Sequence, residues 1–212
     1  MAISLSSCMG LQFTSYCDDF AASGNTATES RGVAGYSQIQ LLSSEDITIL
    51  QGDSYSMTIT GDSNMLPYIK TELHDNVLVV SNDKCNCGKQ TKIEITVPKL
   101  NKMEIFGAGD VEFPEDFQFN DFTLNLSGAG DVAIKGKADN LEITLNGAGD
   151  IDAKNLKADN VRISINGAGD ANIYANNSLN ASINGAGDIT YYGSASNVRK
   201  HVSGAGSISH GK

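Results

Sequence analysis

The tetrapeptide Gly-Ala-Gly-Asp recurs five times in the second half of the chain, beginning at Gly107, Gly128, Gly147, Gly167 and Gly185, and a variant, Gly-Ala-Gly-Ser, begins at Gly204. Successive copies are 21, 19, 20, 18 and 19 residues apart. A period near 20 with variable spacing marks a solenoid, in which one short unit stacks many times and no unit buries its apolar face alone. Two and four residues before the first glycine stand Leu126/Leu124, Leu145/Ile143 and Ile165/Ile163, with Ser127/Asn125, Asn146/Thr144 and Asn166/Ser164 between them. That period of two is a strand with one buried face. Val132, Ile151 and Ile189 resume the apolar pattern directly after the Asp.

Each unit therefore reads as strand, tetrapeptide corner, strand and second corner, the second marked by Ala138-Asp139-Asn140-Leu141 and Ala158-Asp159-Asn160-Val161. The predicted fold is all-β: a two-sheet parallel β-helix of about 20 residues per coil over residues 101–212, its interior made of Ile, Leu and Val columns. The expected structural turn residues are Gly107 with Asp110, Gly128 with Asp131, Gly147 with Asp150, Gly167 with Asp170 and Gly185 with Asp188. Glycine is expected there because a tight turn often demands positive φ. The Ala between the glycines is expected to fill the space where the two sheets meet.

Upstream, residues 31–100 show shorter alternating segments such as Tyr36–Leu41, Asp46–Leu50, Tyr55–Thr60, Val77–Val80 and Ile93–Val97. They predict an N-terminal β-strand region that caps the stack. Residues 1–30, rich in Ser, Ala, Thr and Gly, read as a leader or tether. Within them Leu5-Ser6-Ser7-Cys8 resembles a bacterial lipobox, although no Lys or Arg precedes Arg31. Cys8 is thus the expected lipidation site, on the remainder of a lipoprotein signal peptide whose start lies upstream of Met1; a chance Cys in an unstructured leader is the alternative. For Cys17, Cys85 and Cys87, a bridge from Cys17 to either of the other two and a set of loop thiols without a role both stay open.

A net charge of −10 argues against a nucleic-acid partner and against direct adhesion to anionic lipid. No apolar run reaches the 18 residues of a membrane span, so membrane attachment is expected only through a lipid anchor. In register, the corner Asp residues form a ladder of carboxylates. Either each accepts hydrogen bonds from the backbone N–H groups of its own corner, as in Asx turns, or the row binds a hard cation. The nine-residue spacing of calcium-binding rolls is not matched, and the expectation is a structural ladder with no metal and no cofactor. The outward column Ser127, Asn146, Asn166 and Asn184 either bonds to itself along the stack or offers a flat polar face to an extended glycan. His74, His201 and His210 are scattered, and neither a nucleophile elbow nor a phosphate loop occurs, so no catalytic residues are assigned.

Taken together, Leu145-Asn146-Gly147-Ala148-Gly149-Asp150-Ile151 and the upstream Arg31-Gly32-Val33-Ala34-Gly35-Tyr36, Ile49-Leu50-Gln51-Gly52-Asp53 and Ile95-Thr96-Val97-Pro98 resemble the putative autotransporter adhesin, head GIN domain, of bacterial secreted and envelope proteins. The resemblance covers about residues 31–212. It implies a right-handed parallel β-helix in an extracytoplasmic protein, envelope-bound or secreted, with a role in adhesion and no enzymatic activity. The expected partner is a glycan or a cell-surface protein. A scaffold that self-associates end to end is the alternative, and a polysaccharide-active enzyme ranks below both.

Overall fold

The computed structural model describes residues 23–83 and 91–212; the expectations for Cys8, Cys17, Cys85 and Cys87 lie outside the described residues. The described chain is an all-β solenoid. Its strands are β1 (Thr26–Ser30), β2 (Gln38–Leu41), β3 (Asp46–Gln51), β4 (Ser56–Asp62), β5 (Ile69–His74), β6 (Val77–Asn82), β7 (Lys92–Val97), β8 (Lys102–Ile105), β9 (Val111–Glu112), β10 (Phe117–Gln118), β11 (Asp121–Leu126), β12 (Val132–Leu145), β13 (Ile151–Ile165), β14 (Ala171–Ile183), β15 (Ile189–Tyr192), β16 (Asn197–Val202) and β17 (Ile208–His210). One 3-10 turn, Leu66–Tyr68, precedes β5, with Pro67 at its start.

Burial along a coil follows the sequence alternation, but in three runs. In β12 the buried residues are Val132 and Ile134, then Gly136 and Ala138, then Leu141, Ile143 and Leu145. Exposed Asp139 and Asn140 stand side by side and shift the phase, which places the expected second corner inside a continuous hydrogen-bonded strand. β13 repeats the arrangement with Ile151 and Ala153, Leu156 and Ala158, then Val161, Ile163 and Ile165. Each Val, Leu or Ile among them contributes about 1.5–3 kcal/mol by burial. Coils of 18 to 21 residues stay aligned because the register shifts fall between the first run and the second corner, at Ala133/Lys135, Ala153/Lys157 and Ala158/Asn160. In the third run the pairing from Asn140/Asn160 to Leu145/Ile165 is unbroken.

The stack also extends upstream of residue 100. β2 lies parallel between β6 and β8, and β3 lies parallel between β7 and β9. Beyond these the chain reverses: β5 pairs antiparallel with β6, and β4 with β7. β1, which the composition assigned to the leader, adds antiparallel to β4. Asp62 fixes this segment: its buried carboxylate accepts from the Ser23 hydroxyl at 2.6 Å and from the Gly24 N–H at 2.7 Å. These bonds, the Ser23 hydroxyl first, hold the Asp62 carboxyl below the ordinary carboxylate range. A basic side chain crosses each end of the solenoid. Arg31 donates to the carbonyls of Leu66 and Ile69, and Lys200 donates to the Ile208 carbonyl at 3.1 Å and lies over the Tyr191 ring. Lys200 continues the inward column of Ala181, where a charge discourages further strand addition.

The corner glycines are required for a reason other than positive φ: among them only Gly204 has it. A Cβ on Gly147 would overlap the carbonyl oxygen of Gly128, and one on Gly149 would overlap that of Gly130. The backbones stack with no room for a side chain. The intervening Ala residues, expected to fill an inter-sheet gap, are exposed, while the second glycine of each of the five Gly-Ala-Gly-Asp corners is buried.

Two outcomes follow. Gly149→Ala should cost more than about 3 kcal/mol because rigid backbone opposes the methyl group, whereas Ala148→Gly should cost well under half of that; urea unfolding of both variants checks the contrast, and equal costs would refute close stacking. Asp62 has a depressed folded pKa, so its stabilisation is present above the unfolded carboxylate value and is lost as pH falls through the folded one. The protection factors of the Ser23, Gly24 and β1 amides, taken relative to intrinsic exchange at each pH, should therefore fall on acidification through that window, and Asp62→Asn should remove this pH dependence.

Candidate functional site

The Asp residues of the corners form one row, bonded between coils. Asp110 Oδ1 accepts from the Asp131 N–H at 2.9 Å, Asp131 from Asp150 at 2.8 Å, Asp150 from Asp170 at 2.7 Å, and Asp170 from Asp188 at 2.7 Å. The sequence predicted acceptance from each residue's own corner; the donor is instead the Asp of the next coil. Ser207 N–H closes the row on Asp188 at 2.6 Å. Asp46 opens it, accepting from Asp110 N–H at 3.2 Å, although Ser43-Ser44-Glu45-Asp46 shares only its last residue with the motif. Ser43 and Glu45 carbonyls lie beneath Gly107 and Gly109 as the corner carbonyls do in later coils. Like charges one strand spacing apart repel by about 1–3 kcal/mol at effective dielectrics between that of water and 20. A charge-assisted bond of about 1.5–3 kcal/mol per rung offsets this.

The outward face of the third run carries four columns. The outermost, next to the corner, holds the predicted Ser127, Asn146, Asn166 and Asn184, and the structure brings them into line. They are hydrogen-bonded to one another: Asn166 Nδ2 donates to Asn146 Oδ1 at 2.8 Å and Asn184 Nδ2 to Asn166 Oδ1 at 3.0 Å. Phe106 and Leu42 occupy the same column at its lower end, both about half exposed. The column at the second corner is laddered too. Asn140 donates to Asp121 at 2.7 Å, Asn160 to Asn140 at 3.0 Å, and the Ser178 hydroxyl to Asn160 at 2.8 Å.

Beside this second ladder runs the column Thr123, Glu142, Arg162 and Asn180. No hydrogen bond or ion pair engages these four side chains among the described residues, although Glu142 and Arg162 face each other across the ladder. The two columns flank a groove of about 430 Å³ that runs over Phe122, Leu141 and Val161, whose side chains are buried in the core beneath it. Phe122 also closes an aromatic cluster with Phe113, Phe117 and Phe119, so its backbone is firmly placed. This column is marked in the sequence only by a polar residue five positions before the first glycine of each unit, which exposure alone does not set apart from its neighbours. At the lower end of the face, Lys102 contacts Glu104 at 2.9 Å and, with help from Asn125 and Gln40, holds its carboxyl below the usual range. Tyr36, pushed up to about 12 by burial and then by Tyr55, is a core residue away from this face.

If the Asp row is held by its acceptor oxygens, Asp150→Ala should destabilise by about 1–2 kcal/mol. Asp150→Asn, which keeps Oδ1 and removes one repelling charge, should stay within about 0.5 kcal/mol of the parent. Equal melting temperatures for all three proteins would show that the side chain bonds nothing.

A family model described as putative auto-transporter adhesin, head GIN domain, matches residues 35–195. Among solved structures, a putative adhesin from Bacteroides fragilis is 28% identical with a TM-score of 0.75, over 89% of this chain and 98% of that one. A putative lipid binding protein from Parabacteroides distasonis has the same fold at 22% identity and a TM-score of 0.62, over 90% of this chain and 98% of the other. So does a putative adhesin from Parabacteroides merdae, at 20% identity and a TM-score of 0.54 over the same shares. No curated protein matches the chain. No helix among the described residues is long and apolar enough to cross a membrane.

Proposed function

We infer, from the premise that the chain belongs to the putative auto-transporter adhesin, head GIN domain family, that it is a non-catalytic binding module of the bacterial envelope or secreted fraction. It engages an extended glycan along the outward face of the third run. The observation that carries this reading is the contrast between columns. Two ladders spend their amides and hydroxyls on one another, while Thr123, Glu142, Arg162 and Asn180 present unengaged polar groups at every coil.

A row of groups repeating at the strand spacing of about 4.8 Å suits a polymer with a similar repeat better than it suits a compact ligand. The neighbouring ladders keep the row straight. Preorganised donors and acceptors cut the ordering cost of binding. The reading concerns binding only: the row is periodic, and it assigns no residue a proton-transfer role. Self-association through the ends finds less support, because Lys200 already occupies the upper end.

Binding to an array of bacterial and host glycans tests this with the full chain. Affinity should grow with chain length up to about four sugars, the number of coils the groove crosses at one strand spacing each. Asn180→Trp should abolish binding, while Lys137→Trp, exposed on the second run, should leave it intact. Binding that survives Asn180→Trp would move the site to another face.

A further inference from the structure

The chain contains three arginines. Arg31 is consumed at the N-terminal end of the stack by the carbonyls of Leu66 and Ile69 and by Glu29. The other two fall in one column: Arg162 pairs across the ladder with Asn180, and Asn180 with Arg199. The two guanidinium-bearing positions are therefore two strand spacings apart, about 9.6 Å, with an amide midway. Both are exposed, and neither has a hydrogen-bond or ion-pair partner among the described residues.

Charge around the pair is lopsided. Residues 189–212 contain Arg199, Lys200 and Lys212 and no acidic residue, in a chain whose net charge is −10. His201 stands two positions along the same strand. On the other side, Glu142 neighbours Arg162 and Asp121 ends the groove. Lys102, further down the same column, is held by Glu104. Anionic groups are thus favoured over the upper coils and repelled from the lower ones. Arginine, whose planar fork matches a carboxylate or sulfate with two parallel hydrogen bonds, is the side chain suited to hold them.

Resting on the reading of this face as a glycan-binding surface, we propose that its ligand is an anionic polysaccharide in which a carboxylate- or sulfate-bearing sugar alternates with a neutral one. Arg162 and Arg199 each take one acidic group, and Asn180 takes the neutral sugar between them. A polymer charged at every sugar would set an anion over Asn180, with no cation facing it, and a neutral polymer would leave both guanidinium groups unpaired.

Calorimetric titration of the full chain tests this with four probes: unsulfated chondroitin, with a carboxylate on alternate sugars; carboxyl-reduced chondroitin sulfate, with a sulfate on alternate sugars; carboxyl-reduced unsulfated chondroitin, which is neutral; and polygalacturonate, in which every sugar is acidic. The two alternating anionic chains should bind at least about tenfold more tightly than the other two, and Arg162→Gln or Arg199→Gln should each lose about tenfold, as expected for a charge-assisted bond. Affinity should fall as salt rises from about 0.05 to 0.3 M, and Glu142→Gln should raise it. Unsulfated chondroitin and carboxyl-reduced chondroitin sulfate distinguish a carboxylate from a sulfate preference. Equal binding of the neutral, carboxyl-reduced unsulfated chain would overturn the anionic assignment while leaving the glycan surface standing. Failure to bind any glycan, here or on the array, would overturn both. Retention of anionic binding by the double glutamine variant, with unchanged melting temperature, would overturn the role of the arginines.

Discussion

The architecture hangs on a backbone contact that admits no side chain. At each corner the first and second glycines sit directly over the carbonyl oxygens of their counterparts one coil below, so closely that a β-carbon would overlap them. Stacked this way, the Ala N–H of every corner after the first reaches the first glycine carbonyl of the coil below, as Ala168 reaches Gly147 at 3.1 Å. The Asp N–H reaches the carboxylate of the Asp below. The corner is therefore a fixed point of registration. Coil lengths differ by up to three residues, but the differences are taken up between the first run and the second corner, where the register shifts.

Because the third run leads directly into this fixed point, its outward residues cannot drift. The pairing from Asn160 with Ser178 through Ile165 with Ile183 is continuous, and the same register passes on to β16. Straight columns result, and the columns differ only in what their side chains do. Asn–Asn and Asn–Ser bonding consumes two of them. The intermediate one mixes Thr123, Glu142, Arg162 and Asn180, so no side chain meets its own kind on the next coil, and it stays available. A rigid face with one unengaged row is what a solenoid can offer to a linear polymer without a cavity and without any moving part.

The period, the corners, the alternation and nearly all of the core were legible in the sequence, because a buried column needs an apolar residue at a fixed place in every unit. Its physical causes were less so. Glycine was explained by φ, whereas close approach is what excludes a side chain, and only a neighbouring coil can reveal that. The Asp donors were sought within one corner for the same reason. Asp46 escaped because Ser43-Ser44-Glu45 lacks the glycines, yet its carboxylate accepts like the others. β5 escaped because its strand period is short and ends in a two-residue hairpin at Asp75 and Asn76, with Asp75 at positive φ. At the candidate site the sequence pointed to the column of Ser127, Asn146, Asn166 and Asn184, whereas the row proposed to bind is the neighbouring column of Glu142 and Arg162. Asn146 and Glu142 look equally exposed in a sequence, and only hydrogen-bond partners separate a residue that is spent from one that is free.

The most direct test of the central claim is amide hydrogen exchange at the corner aspartates. Asp131, Asp150, Asp170 and Asp188 have exposed side chains, yet each N–H is donated to a carboxylate one coil away. If the corners register the stack, these amides exchange only through large-scale opening, at rates matching core amides such as those of Ile163 and Ile165. Exchange at the rate of an open loop, while the core amides remain protected, would mean that the corners do not hold the coils and that the columns have no fixed alignment.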